Sequence, residues 1–499
     1  MQFSLCTCVY GILVFLSWKI GSTIYSYVRM RRKCLKLPQK KSHWLFGHLK
    51  ELKGAKAYMD YALDMAKTES KVYCLWIGPT PVVGVRHPDT FRQLIGQEHR
   101  KARGRIDGYR LLQEWMGEGL LMSEGRKWER SRKLLTPAFH FSILSGYVDV
   151  MNRASDTFQE KVLDQMSESA SMDIYPLACR ATLNTMMKCS LSFDGCMQST
   201  ENDDYVQAVQ RMSTLLWNRM LNPFIPAWLY KLTPEGREWS RLIKLLQTFT
   251  GNIIESRRQL LKEHPLEVGQ SDRKRRLDFL DILLTATDDQ GRGLDRQEIQ
   301  DEVDTFTFEG HDTTGSALGW AIYALGQNPK IQGKVYKEVI TVLEDRTHVK
   351  LEDIRLFTYL SQYIKEVMRV YSPVPMIARR SAKTLVLDGF EIPPGIRIDI
   401  NIHATHHNPA VWDKPEEFNP DRYGADNKDE NDTFGFIPFS AGSRNCIGQV
   451  FALNELKICL AKFVKRFEVF PDPGHKPEMV PDIVTRSTTG LKVIIKKRC

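Results

Sequence analysis

Ten cysteines are spread along the 499 residues, and one of them sits in a setting the others lack. Cys446 lies in Pro438-Phe439-Ser440-Ala441-Gly442-Ser443-Arg444-Asn445-Cys446-Ile447-Gly448, and a helix-forming run from Gln449 to Val464 follows directly. Backbone N–H groups of a Gly-rich turn, together with a helix start, favour an anionic sulfur and a lowered thiol pKa. Glycines let the backbone approach a flat macrocycle closely. The chemistry that fits is a thiolate axial ligand to haem iron, whose electron density favours O–O cleavage. A buried cysteine is ordinarily inert packing. Here Phe-x-x-Gly-x-Arg-x-Cys-x-Gly is matched at every fixed position, and the ligand reading is preferred.

A second set of chemical residues lies upstream, in Phe306-Thr307-Phe308-Glu309-Gly310-His311-Asp312-Thr313-Thr314-Gly315. On a helix Phe306, Glu309, Gly310 and Thr313 share one face. An acid, a glycine and a hydroxyl among apolar neighbours are costly in a core that has no use for them. The two glycines and paired threonines should weaken the helix locally and open a groove for O2 and protons. His311 points off that face and reads as structural. Trp128 and Arg132, four apart on a helix, can offer an indole N–H and a guanidinium to carboxylates. Glu366 and Arg369 can pair, and Arg422 is placed to complete a buried cluster with them. Met376 and Ile377 suit an apolar pocket wall. His403, His406 and His407 lack partners at metal-ligand spacing and are not read as a metal site.

These residues need a scaffold, and the sequence predicts a mainly α one with a smaller β-rich region. A long helix is expected from about Asp295 to Gln327, and a hairpin over Val72–Val85. Pro373–Arg380 should begin a strand, followed by short strands at Thr384–Leu387 and Ile396–Ile402. No regular alternation of strand and helix supports a doubly wound sheet. Asn222–Tyr230 reads as an aromatic, Pro-broken loop, either core or a membrane contact. Glu263–Arg276 and residues 424–433 read as exposed polar loops.

At the N-terminus Leu5–Trp18 is almost wholly apolar, Lys19 interrupts, and Ile20–Val28 continues. The expected organisation is a transmembrane anchor over 1–28, a basic linker or hinge over 29–48, and a catalytic domain over 49–499. Basic residues from Arg29 to Lys41 place the catalytic part in the cytosol. A helix lying in the interface is the alternative. Lys and Arg total 70 against 60 acids, a net +10 without a basic-aromatic block, which argues against nucleic acid. The cysteines form no CxxC pair, so a disulfide framework is not expected and the thiols should be reduced.

In this order the motifs resemble the cytochrome P-450 superfamily, the haem-thiolate monooxygenases, over nearly the whole chain. The carrying residues are Trp128 and Arg132, Gly310 to Thr314, Glu366 and Arg369, Pro420 and Arg422, and Phe439 to Gly448. The resemblance implies the P-450 fold with haem b, O2, and electrons from NADPH through a reductase, with cytochrome b5 as a further partner. It implies Cys446 as iron ligand, with Phe439 in its loop, and Trp128, Arg132, Arg379 and Arg444 at the haem propionates. It implies Asp312 and Thr313 as the dioxygen-activating and proton-relay pair, and Glu366, Arg369 and Arg422 as a structural triad. Phe306, Val374 and Ile377 are expected in the substrate pocket. Phe308 to Thr314, His43 to His48 and Leu135 to His140 look like the fourth family, the fatty-acid ω-hydroxylases. In that family the glutamate at Glu309 can form an ester to a haem methyl. The expected protein is an endoplasmic-reticulum enzyme with a cytosolic catalytic domain that hydroxylates fatty acids or related lipids near the ω carbon. Its rivals are xenobiotic oxidation, a haem-thiolate lipid isomerase and a non-catalytic haem protein. A reductase would dock on Arg126, Lys127, Arg130, Lys133, Lys457, Lys462 and Lys465.

Overall fold

The computed structural model describes residues 2–95, 99–104, 106–191, 193, 195, 197–198, 204–263, 278–424 and 434–498. The loops expected over Glu263–Arg276 and 424–433 lie almost wholly outside the described residues. Helices dominate and the sheets are small, as the sequence predicts.

The molecule is built around one helix, Arg296–Gln327. Asp295 caps it, accepting from the Glu298 N–H while Glu298 accepts from the Asp295 N–H. It is buried along nearly its whole length. A Cβ at Gly310 would lie 2.6 Å from Met186 Sδ, and one at Gly315 would lie 2.9 Å from Cys179 Cα. The glycines therefore let the helix Ile174–Ser190 pack directly across it. The expected weakening at these glycines does not break the helix. Thr313 and Thr314 instead donate back to the carbonyls of Glu309 and Gly310, at 2.7 and 2.9 Å. A further helix, Gln449–Arg466, leaves the Cys446 loop and packs against the central helix.

The largest sheet has five strands in the order Val72–Ile77, Thr80–Val85, Arg397–Ile400, Ile377–Ser381, His99–Lys101. The first two are the expected hairpin. The last pairing sets Lys101 opposite Arg379. The strand expected over Ile396–Ile402 stops early. The Asn401 carbonyl accepts from the Thr405 N–H and hydroxyl, which starts a short helix, Ile402–His406. Leu385–Leu387 pairs with Phe390–Ile392. In the aromatic stretch, Ala227–Tyr230 is a single helical turn, and Phe224, Trp228 and Leu229 are exposed rather than core.

The N-terminal helix runs from Gln2 to Cys34, through the expected boundary at residue 28. Among the described residues no helix is long and apolar enough to cross a membrane. Lys19 interrupts the apolar run, and Arg29, Arg31, Arg32 and Lys33 charge its end. Its far end is gripped rather than hinged. Tyr27 donates to the Pro79 carbonyl, the Arg31 guanidinium stacks 4.7 Å from the Trp76 ring, and Lys33 pairs with Glu391. Cys34 and Leu37 are buried in the apolar layer beneath the sheet.

Candidate active site

A cavity of about 330 Å³ lies between the central helix and the Cys446 loop. Phe306, Glu309, Gly310 and Thr313 all line it, so the predicted helix face is the face that meets it. Val374, Met376 and Ile377 form part of another wall, and Phe439, Arg444 and Cys446 close it from the loop side. Most of the remaining lining is apolar, including Leu112, Leu120, Leu216, Trp217 and Met220. Such a lining excludes water and suits an apolar substrate.

The loop holds the sulfur by its backbone. The Cys446 N–H donates to the Phe439 carbonyl at 3.0 Å, which closes the turn. Gly442 has φ +74°, and a Cβ there would lie 2.5 Å from Ile95 Cγ2, so glycine is required. The accessible surface of Cys446 opens onto the cavity. Burial pushes the thiol up to about 11, although the Gly448 N–H and Arg132 pull it down. The lowered thiol pKa expected from the loop is therefore not reached by protein groups alone. Desolvation outweighs them, and the sulfur becomes a thiolate when a metal cation supplies the charge.

The rim of the cavity is a patch of cations. Arg132 donates to the Asn445 carbonyl and Oδ1, both at 3.0 Å. Arg444 donates to the Ser123 carbonyl at 2.8 Å, and its guanidinium stacks 4.2 Å from the Trp128 ring. Arg379 donates to the adjacent Ala378 carbonyl. Lys101 is buried, its ammonium 4.6 Å from the Tyr109 ring. Among the described residues none of Lys101, Arg132, Arg379 and Arg444 has a carboxylate at ion-pair distance. Burial, then the repulsion of Arg379 and Arg444, pushes Lys101 far below the ordinary lysine range. Burial, then Arg379, lowers Arg444 to about 10. This excess of buried and half-buried positive charge fits a flat group carrying two carboxylates, and Cys446 opens on the same cavity. A haem meets both requirements.

On the opposite wall, burial pushes Glu309 up to about 7 while Lys101 draws it down. Its neighbour Asp312 does not line the cavity. Asp482 and Arg486 near the C-terminus act on its charge, and Asp312 acts on those of Tyr175, Cys179 and Tyr205. Burial raises Asp312 to about 7. His311 is buried, its Nδ1 against the Thr307 carbonyl and its ring against Tyr205.

Glu366, Arg369 and Arg422 come together away from the cavity. Arg369 makes two bonds of 2.8 Å to the Glu366 carboxylate and spends its remaining N–H groups on the carbonyls of His406, Pro415 and Glu417. Arg422 reaches Glu366 at 3.2 Å, and the Asn419 N–H reaches it at 2.8 Å. Among the described residues no cluster of three metal-ligating side chains occurs. His406 is used between Ser372 and the Ile437 N–H.

Three site features differ from the sequence reading. Lys101 was not singled out, because only its sheet register opposite Arg379 brings it to the rim. Pro481–Val484 also line the cavity, a contribution not singled out from the sequence. The basic docking face is largely neutralised from within. Lys462 is buried against Asn152 and Asp156, Arg130 pairs with Asp288 and Glu298, and Lys133 pairs with Asp289.

A family model described as Cytochrome P450 matches residues 37–494. The chain is 36% identical over 492 residues to cytochrome P450 4F4 of Rattus norvegicus, covering 96% of this chain and 94% of that protein. It is 37% identical over 488 residues to rat cytochrome P450 4F6, covering 95% and 90%. To human cytochrome P450 4F2 it is 36% identical over 493 residues, covering 96% and 94%.

Proposed function

The chain belongs to the cytochrome P450 family of haem monooxygenases, and we propose that it hydroxylates fatty acids or related lipids at or near the ω carbon. The observation that carries this reading is that Glu309 and Cys446 open on the same largely apolar cavity. When bound, haem supplies dioxygen activation and oxidation of an unactivated C–H bond. Cys446 would ligate its iron, and Trp128, Arg132, Arg379, Arg444 and Lys101 would hold its two carboxylates.

The protein's own groups then have separable tasks. Phe306, Val374 and Ile377 bind an alkyl chain and exclude water. Thr313 holds a proton at Oγ1, donated in this state to the Glu309 carbonyl. Asp312 holds one at its carboxyl up to about pH 7 and is the candidate source that resupplies it. Glu309, largely protonated below about pH 7, is the group for an ester to a haem methyl. Such a tether restricts the reacting geometry and favours a terminal methyl over the easier neighbouring methylene. Electrons come from NADPH through a reductase, with cytochrome b5 as an auxiliary donor. The site of action is the cytosolic face of the endoplasmic reticulum. The exposed apolar side chains of Tyr10–Val28, with Phe224 and Trp228, support membrane contact.

Product analysis over a panel of saturated fatty acids, with purified reductase and NADPH, tests the reading. Terminal alcohols should dominate, and products spread evenly along the chain would refute it. After turnover, acid–organic extraction should leave haem on the wild-type protein and remove it from Glu309→Ala. Complete extraction from both rules out the tether.

A further inference from the structure

The segment Met479–Ser487 forms a small hairpin, strands Met479–Pro481 and Thr485–Ser487, whose tip lines the cavity through Asp482, Ile483 and Val484. Asp482 is only 7% exposed, and a buried carboxylate is out of keeping with the largely apolar lining around it. Arg486 pairs with its Oδ2. The same guanidinium donates to the Gln210 carbonyl at 3.0 Å and to Thr214 Oγ1 at 2.8 Å, both on the helix Asp204–Met220. The pair is neutral and its cation is engaged, and among the described residues no protein donor reaches Asp482 Oδ1.

Gln210, Thr214 and Trp217 stand at i, i+4 and i+7 and share one face of that helix. Arg486, and Asp482 with it, is thus fastened along the row that Trp217 continues. A second set of contacts closes the same corner. The strand Met479–Pro481 packs on the helix Ala55–Ala66, and Tyr58 of that helix lies 5.3 Å from the Trp217 ring. Tyr58 and Trp217 both line the cavity. The Tyr58 hydroxyl is spent on Asp399. Trp217 is 6% exposed, and its indole N–H meets no acceptor. A buried N–H without a partner is costly, and a ligand oxygen would relieve it. The Tyr147 hydroxyl, also unpartnered, belongs to another part of the wall, where its ring packs against Phe451 on the helix that follows Cys446.

One corner of the cavity therefore offers a donor without an acceptor and an acceptor without a donor. It is built from elements other than those that carry Cys446 and the cations Lys101, Arg132, Arg379 and Arg444. We propose that Trp217 and Asp482 form the subsite for the polar head of the substrate and that this head is a hydroxyl group. Within the lipids of the proposed function, the preferred class is then the neutral long-chain alcohols rather than carboxylate anions. A hydroxyl oxygen accepts from Trp217 Nε1 while its proton is donated to Asp482 Oδ1. A carboxylate can accept from the indole, but it has no proton for Asp482 and meets a like charge there. The inference rests on the ω reading, which keeps the head away from the iron.

Ligand binding to the holoenzyme at pH 8, followed by the shift of the Soret band, tests this with 1-dodecanol, dodecanoate and dodecane as probes. Wild type should bind 1-dodecanol at least about ten-fold more tightly than dodecanoate. Trp217→Phe should weaken 1-dodecanol about three- to ten-fold and leave dodecane unchanged. Asp482→Asn removes the like charge and frees Arg486, and it should tighten dodecanoate by about ten-fold. Dodecanoate bound by wild type as tightly as 1-dodecanol overturns the proposal. So does 1-dodecanol binding that is unchanged in Trp217→Phe, or weakened there no more than dodecane, which would make the indole packing alone. Dodecanoate binding unmoved by Asp482→Asn overturns it as well. Should a variant fail to fold, the ranking of the three probes by wild type decides. The ω reading fails separately, when 1-dodecanol bound with the expected preference is oxidised along its chain rather than at its methyl end.

Discussion

Arginines cluster around Glu366 and around Cys446, and the chain treats the two clusters in opposite ways. Around Glu366 every charge is answered. The carboxylate takes Arg369, Arg422 and a backbone N–H, and Arg369 exhausts its donors on carbonyls. Around Cys446 the cations Lys101, Arg132, Arg379 and Arg444 gather without a carboxylate at ion-pair distance among the described residues. The first arrangement is complete and serves the fold. The second is incomplete by about the charge of a ligand. Charge balance therefore separates brace from binding site where burial alone does not, since both regions are desolvated.

The comparison is broken most severely at its centre. Cys446→Ser should abolish the thiolate-type Soret band of the reduced, carbon monoxide-bound protein and all monooxygenase turnover, while circular dichroism stays helical. Retention of that band would remove the haem-thiolate reading altogether. Next, Glu366→Gln removes the carboxylate that Arg369 and Arg422 share, leaves the fully buried Arg369 with carbonyl partners alone, and should cost about 3–5 kcal/mol of stability. Urea unfolding measures this, and a loss under about 1 kcal/mol would mean the cluster is not a brace. Arg444→Ala should have the opposite sign in the haem-free chain, which sheds a half-buried charge without a carboxylate at ion-pair distance and holds or gains stability. Haem transfer to a scavenger, followed in a Glu309→Ala background, should nevertheless quicken by about ten- to a hundred-fold. Equal destabilisation with and without haem would erase the distinction between the two regions.

The smallest effect concerns acids balanced by a proton rather than a partner charge. Burial raises Glu302 to about 8, against the pull of the Leu120 N–H. Its folded pKa exceeds its unfolded one, so its contribution is fully present below about pH 4 and is lost as pH rises through 8. Glu302→Gln should flatten the decline of thermal stability between pH 5 and 8. An unchanged slope would show that Glu302 is ionised in the folded protein.

What was legible in the sequence is what local spacing dictates. The central helix was read to within a residue because its capping residues and apolar period agree. The face carrying Phe306, Glu309, Gly310 and Thr313 follows from helical geometry alone. The Glu366–Arg369 pair follows from three-residue spacing, whereas its meeting with Arg422 depends on a distant turn. Lys101 was hidden because a sheet register brings it to the rim, in a segment where Arg100 and Arg103 look equally eligible. The direction of the thiol shift was misjudged because loop dipoles are visible in sequence and desolvation is not. The groups that act electrostatically on Asp312 belong to segments distant from it in the chain, which no local pattern encodes. Lys462 was read as a surface cation, yet the helix Gln449–Arg466 turns it inward onto Asn152.

The grip of Tyr27, Arg31 and Lys33 on the sheet has a mechanical meaning. A helix whose base is clamped acts as a strut, and residues 10–28 extend it by roughly 28 Å at 1.5 Å per residue. A swivelling tether would let the body tumble above whatever surface the strut lies on or enters. A strut gives it a bearing. The strand that carries Arg397 is paired to the clamped hairpin, and Arg397 itself lines the cavity. The clamped helix and one wall of the chamber in which an alkyl chain would lie are thus carried by the same sheet.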